Sequence, residues 1–278
     1  MANSRFEYVR DYEPANDSKL LPNCYIVVRV DGQRFHHFSS SHKFHKPNDK
    51  RALDLMVESG KHVIKSFYPN ITMAYGQSDE FSFIFARNSN SYKRRQNKLS
   101  SLIVSSFTSA YVFFWSKYFS TPLLYPPSFD SRCVLYPDKK ILVDYLKWRQ
   151  VDCHINNLYN TSFYLLTGEY VKYSLDSQGK TIVSSLKTDQ QPLTHQEAQA
   201  RLKGTFSKDK HDIMFLNYNV NYNNELEQFK KGSLLKIDEK PVIKEKKSQI
   251  DPASIAVSCL NIDVIKEDFW EKNAYLLE

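Results

Sequence analysis

The chain has 278 residues, enough for one large domain or for a catalytic domain with a smaller appendage. Apolar residues at 41% and charged residues at 25% exclude a chain dominated by disorder. The net charge of +7 favours a polyanionic partner, nucleic acid first, although a basic balance by itself decides nothing. Cys24, Cys133, Cys153 and Cys259 contain no pair at zinc-ligand spacing and are expected to be reduced core residues. No secretory signal is expected, because the N-terminus is charged from Arg5 onward. The apolar stretch 102–119 is broken by four serines, a threonine and a lysine, so a buried helix is expected there and no membrane span. A cytoplasmic or nuclear address follows as an expectation.

Residues 24–30 form a nearly continuous β-favouring run that reads as a central strand ended by Asp31-Gly32. Asn48 or Asp49 can cap a helix running to about Phe67, where Ala52, Leu53, Met56 and Val63 keep helical spacing. Two short strands over 71–75 and 81–85 flank a hairpin turn at 76–80. A second helix is predicted from near Tyr92 to about Phe119, beyond which Pro122, Pro126 and Pro127 forbid continuation. Residues 131–136 supply a fourth strand. The resulting β, α, β, β, α, β order is that of an α+β ferredoxin-like sheet, in which strands one and three lie side by side and antiparallel.

The second half opens with a long helix over 139–166. A short hairpin is expected around Ser177-Gln178-Gly179, and Thr194 with Glu197 makes a capping box for a helix ending at Gly204. Residues 209–218 read as another helix. From Lys236 to Lys247 the chain is Lys-rich and includes Pro241, which reads as a solvated segment.

The predicted sheet brings Asp31 beside Asp79 and Glu80, three acids distant in sequence. Two aspartates on adjacent strand tips can share a pair of Mg²⁺ ions, and Gly32 lets the backbone approach closely enough for its carbonyl to join them. Taken separately, Asp31-Gly32 and Ser78-Asp79 would more often be plain turns; their convergence reverses that balance. Lys93, Arg94, Arg95 and Lys98 crowd the predicted start of the second helix, where the macrodipole disfavours cations and a triphosphate would compensate. Lys46 is a further candidate for phosphate contact. His36, His37, His42 and His45 invite a zinc reading, but the loop lacks a ligand pattern, and His36 is better placed beside bound nucleotide. On the long helix, Arg149, Asp152, His154, Asn156, Asn157 and Asn160 form a polar set of poor helix formers, suited to a subunit contact or to RNA.

These segments resemble one family. Arg29-Val30-Asp31-Gly32-Gln33-Arg34-Phe35-His36 and Tyr75-Gly76-Gln77-Ser78-Asp79-Glu80 are similar to the metal and nucleotide loops of eukaryotic tRNA-His guanylyltransferases, the 3′-to-5′ nucleotide-adding enzymes. Lys46-Pro47-Asn48-Asp49, Trp148-Arg149-Gln150, Asn221-Tyr222-Asn223-Asn224-Glu225 and the run from Asp152-Cys153-His154 to Asn160 match as well, so the resemblance spans roughly residues 5–235. It implies a polymerase-type palm over 1–137 and a helical or extended region over 138–278 that binds tRNA and assembles homotetramers. It implies ATP-dependent adenylylation of the tRNA-His 5′-phosphate, attack by the 3′-hydroxyl of GTP, loss of AMP and removal of pyrophosphate, leaving a guanosine at position −1. Metal ligation falls to Asp31, Asp79 and the Gly32 carbonyl, with Glu80 as a third catalytic acid. Nucleotide contacts fall to Gly32, Gln33, Arg34, Phe35, His36, Lys46, Ser78, Arg95 and Lys98. Residues 168–192 and those after 240 have no assigned role.

Two other readings compete. The hairpin at 76–81 loosely echoes the acidic hairpin of palm-type nucleotide cyclases, against which the RNA-suited second half speaks. A non-catalytic RNA-binding protein would keep the acids as structural groups.

Overall fold

The computed structural model describes residues 4–13, 18–238 and 254–277. In chain order the elements are β1 (Tyr25–Gly32), α1 (Phe35–Ser41), α2 (Lys50–Ser66), β2 (Ile71–Gln77), β3 (Glu80–Phe85), α3 (Gln96–Tyr118), β4 (Phe129–Tyr136) and α4 (Lys139–Leu166). There follow β5 (Val171–Leu175), β6 (Thr181–Ser185), α5 (His195–Leu202), α6 (Ser207–Asp212), α7 (Glu227–Lys231), β7 (Ser233–Ile237), β8 (Val257–Leu260) and α8 (Glu267–Lys272). The protein is a mixed α/β molecule around an antiparallel six-stranded sheet in the order β4-β1-β3-β2-β7-β8, with β5 and β6 forming a separate ribbon.

β1 is apolar almost throughout because both of its faces are covered. Ile26, Val28 and Val30 enter the core shared with α2 and α3, whereas Tyr25 and Val27 enter the core shared with α4 and the C-terminal segment around Val264 and Trp270. Two cores on one sheet need the continuous run seen in the sequence rather than alternation. On α3, Leu99, Ile103, Phe107, Tyr111 and Trp115 recur every four residues and bury one stripe, leaving Phe113 exposed. By length and composition α3 is long and apolar enough to cross a membrane, yet that stripe is a layer of the core.

Caps follow side-chain chemistry. Asp49 accepts from the Arg51 amide at the start of α2, Asp138 from the Ile141 amide at the start of α4, and Thr194 with Glu197 closes the expected box at α5.

Three expectations are corrected. α3 starts at Gln96, not near Tyr92: Tyr92, Lys93 and Arg94 hold left-handed φ of 49°, 55° and 56° in a tight turn. That turn is fixed by the buried Arg94 guanidinium, which donates to the carbonyls of Leu20, Leu21, Cys24 and Ser89. Residues 209–218 divide between the end of α6 and a π-helical turn over Ile213–Asn217. Lys236 lies in β7 and pairs with Met73 of β2, so the Lys-rich segment begins inside the sheet; its residues 239–247 lie outside the described residues.

Candidate active site

Strand register builds the site. β1 and β3 pair antiparallel with Asp31 opposite Glu80, and β2 and β3 are joined by a two-residue turn at Ser78-Asp79, with Ser78 at φ 50°. The Gly32 amide donates to the Asp79 carbonyl at 3.1 Å, tying the end of β1 to the turn. Gly32 is required here, since a Cβ would stand 2.6 Å from Cγ of Phe35 and 2.7 Å from an Asp79 carboxylate oxygen.

Two cavities meet at Asp79. One, of about 370 Å³, is lined by Phe35, His36, Lys46, Tyr111 and Tyr164 among others; the second, of about 290 Å³, is lined by Asp31, Gln77, Glu80, Asp152, Asn156 and Asn157 among others. Ser78, Asp79, Asn48 and Asn160 border both. The first is roomy enough for a nucleoside, with apolar walls and a cation at its rim.

Burial pushes the Asp79 carboxyl above the ordinary aspartate value; the Ser78 hydroxyl, donating at 3.0 Å, opposes this and the charge on Asp31 adds to it. Asp79 forms no ion pair among the described residues. Asp31 is paired with Arg29 at 3.1 Å, and Arg29 reaches Glu80 at 3.5 Å. Arg149 donates to both Glu80 oxygens, at 3.3 and 3.1 Å, yet burial still raises the Glu80 carboxyl. Lys46 lies 5.7 Å from the Tyr164 ring centre with its ammonium near Ser39, and burial lowers its pKa while Glu169 raises it.

The remaining expected site residues divide. His36 and Phe35 border the first cavity, although Phe35 is a core ring packed against Phe38 and Phe129. The Gln33 side chain is taken by Asp130, and Arg34, at φ 54°, is exposed at the start of α1. Arg95 and Lys98 border neither cavity. The charge-crowded helix start is corrected too, because Lys93 and Arg94 precede α3 and Arg94 is spent on backbone carbonyls. The four loop histidines diverge: His37 meets Tyr125, His42 bridges Phe38 and Leu124, and His45 meets Tyr173. Among the described residues no group of three His, Cys, Asp or Glu side chains gathers as a metal site.

Of the polar set of α4, Asp152, Asn156, Asn157 and Asn160 line the second cavity, while His154 lies against Tyr222. Asn157 accepts from Asn48 and donates to Tyr222, and Asp152 accepts from Gln77. Sequence reasoning missed Arg29 as an acid partner, although it lies two residues before Asp31 on the same strand face. It also missed Tyr111, whose buried hydroxyl has no partner among the described residues, and whose isolation leaves no sequence signal.

The geometry defines a class: an α/β protein holding paired aspartates at a sheet edge, beside a nucleoside-sized cavity. Residues 6–137 match the tRNAHis guanylyltransferase family and residues 140–258 match the Thg1 C-terminal domain, so the chain belongs to the tRNA(His) guanylyltransferase family. It is 44% identical to a human probable tRNA(His) guanylyltransferase, over 100% of this chain and 89% of that one. It is also 44% identical to the Schizosaccharomyces pombe tRNA(His) guanylyltransferase, over 99% and 98% respectively. The crystal structure of the Saccharomyces cerevisiae enzyme matches with a TM-score of 0.72 and 44% identity, over 84% of this chain and 93% of that one. A bacterial guanylyltransferase-like protein in complex with ATP shares the fold with a TM-score of 0.69 at 19% identity, over 99% of each chain.

Proposed function

We propose that the protein adds a guanosine to the 5′ end of tRNA-His, using ATP to adenylylate the 5′-phosphate and GTP as the nucleotide added. The observation that carries this reading is the position of Asp79: a partly buried acid without an ion-pair partner among the described residues, bordering two cavities that could hold donor and acceptor on either side. The strand order β4-β1-β3-β2 supports a ferredoxin-like, polymerase-type palm.

In this reading Asp31, Asp79 and the Gly32 carbonyl hold two Mg²⁺ ions. The donor set suits the ion: it is all oxygen, and the Asp31 charge lies close enough to raise the Asp79 carboxyl while Arg29 pairs with Asp31 alone of the two, leaving negative charge for a divalent cation to offset. When bound, Mg²⁺ supplies positive charge to the polyphosphate and favours ionisation of an attacking hydroxyl. The chain supplies the rest. Lys46 meets phosphate at the cavity rim, the walls around Phe35, Leu53 and Met56 exclude water, and the Gly32–Asp79 hydrogen bond fixes the acids before substrate arrives. Arg95 and Lys98 are proposed to meet the outer phosphates, and residues 138–278 to carry tRNA binding and the contacts of a homotetramer.

The test is 5′-end sequencing of tRNA-His after incubation with protein, ATP, GTP and Mg²⁺. An added guanosine at −1 is expected. An unchanged 5′ end would favour a non-catalytic RNA-binding protein, and a cyclic dinucleotide formed from GTP alone would favour a cyclase.

A further inference from the structure

Asp31 and Glu80 are direct cross-strand partners, an arrangement that repels two like charges unless cations intervene. Arg29 bridges them from β1, and Arg149 reaches Glu80 from α4. Arg149 is only 5% exposed, and its guanidinium lies 3.4 Å from the centre of the Trp148 ring, which covers it. One of its nitrogens meets both oxygens of Glu80 and approaches Asp152 at 3.6 Å, and Asp152 is bound in turn by Gln77, the last residue of β2. A chain of charge therefore runs from α4 through Glu80 and Arg29 to Asp31, whose Oδ2 lies 3.1 Å from Arg29. Glu80 is spent on two guanidinium groups and is the middle of this chain rather than an open ligand.

We infer that Arg149 is a positioning residue: by holding Glu80 it keeps Arg29 shared between Glu80 and Asp31, and so fixes the Asp31 carboxylate in the orientation that receives a divalent cation. The inference rests on the proposed metal-dependent reading. Without Arg149, Glu80 has Arg29 as its remaining guanidinium, and Arg29 is drawn toward Glu80 and away from Asp31. A buried acid stripped of one partner also becomes costly, so stability falls as well. What separates positioning from mere structure is cation affinity.

The probe is Mn²⁺ binding to the full-length protein, followed as loss of the free-ion paramagnetic resonance signal, alongside thermal melting. Arg149→Lys keeps the charge but loses the planar guanidinium stacked on Trp148 that aims its nitrogen at Glu80, and we expect its Mn²⁺ dissociation constant to rise about three- to fivefold. Arg149→Met and Glu80→Gln should each raise it about tenfold, and the double variant no further than the worse single, because both cut the same chain. Should Arg149→Met fail to fold, Glu80→Gln and Arg149→Lys carry the test. Variants that melt earlier yet bind Mn²⁺ as tightly as the parent would overturn the inference, as would additive losses in the double variant. Asp79→Ala separates this failure from failure of the underlying reading: a parent that binds no Mn²⁺, or an Asp79→Ala variant that binds it normally, removes the metal site itself.

Discussion

Gly32→Ala is the smallest perturbation that should disable the site. The new methyl carbon would stand 2.6 Å from Cγ of Phe35 and 2.7 Å from Oδ2 of Asp79, both well inside van der Waals contact. Phe35 cannot retreat, because its ring is packed on Phe38 at 4.9 Å and on Phe129 at 4.8 Å between centres. The carboxylate therefore moves, or the end of β1 shifts away from the Ser78-Asp79 turn and breaks the Gly32–Asp79 hydrogen bond. Overpacking of this kind costs about 1–3 kcal/mol. At roughly 2–4 °C per kcal/mol for a chain of this size class, melting should fall by several degrees. Activity should fall much further, since displacing a catalytic group by ~1 Å costs on the order of a hundredfold. The assay is incorporation of α-labelled GTP into adenylylated tRNA-His, run beside thermal denaturation. A variant that melts like the parent and retains half its activity would refute the claim that this close approach holds the two acids together.

Asp79→Ala should abolish guanosine addition while leaving tRNA affinity, measured by filter binding, within about twofold on the order of experimental scatter; parallel loss of both would contradict a metal-directed role. Asp79→Asn tests its charge. Because burial raises the folded-state pKa of Asp79, its contribution to stability is fully present below the unfolded value near 3.8 and is lost as pH rises through the folded value. The variant should thus melt higher than the parent at neutral pH without added metal, with the gap closing as pH falls toward 4; a lower melting temperature at pH 7 would show that the ionised acid is well compensated. Lys98→Ala should weaken GTP binding by roughly 1.5–3 kcal/mol if its ammonium meets a phosphate. Unchanged GTP affinity in a titration would remove Lys98 from the site, in keeping with its absence from both cavities.

Much of the frame was legible because it is written locally. The apolar run of β1, the hairpin around Ser78-Asp79, the length of α4 and the Thr194–Glu197 box each follow from side chains a few residues apart. Convergence of Asp31 and Glu80 needed only the antiparallel neighbourhood of β1 and β3. What escaped depends on distant partners. The start of α3 is displaced by an arginine that reaches carbonyls at residues 20–24, about seventy positions away in sequence. β7 joins the sheet through β2, a pairing that no local pattern encodes. Arg149 was visible as part of an odd polar helix, but its engagement with Glu80 depends on how α4 crosses the sheet. The poor helix formers Asn156 and Asn160 did flag a helix serving something other than its own stability, and the cavity beside them shows where they face.

The most direct measurement is anomalous diffraction from crystals grown with Mn²⁺ and GTP. Two Mn²⁺ peaks are expected between the carboxylates of Asp31 and Asp79, one within coordination distance of the Gly32 carbonyl. Peaks confined to Asp152 or Glu80, or a triphosphate bound with no peak at the Asp31–Asp79 edge, would contradict the assignment of that edge as the metal-binding centre.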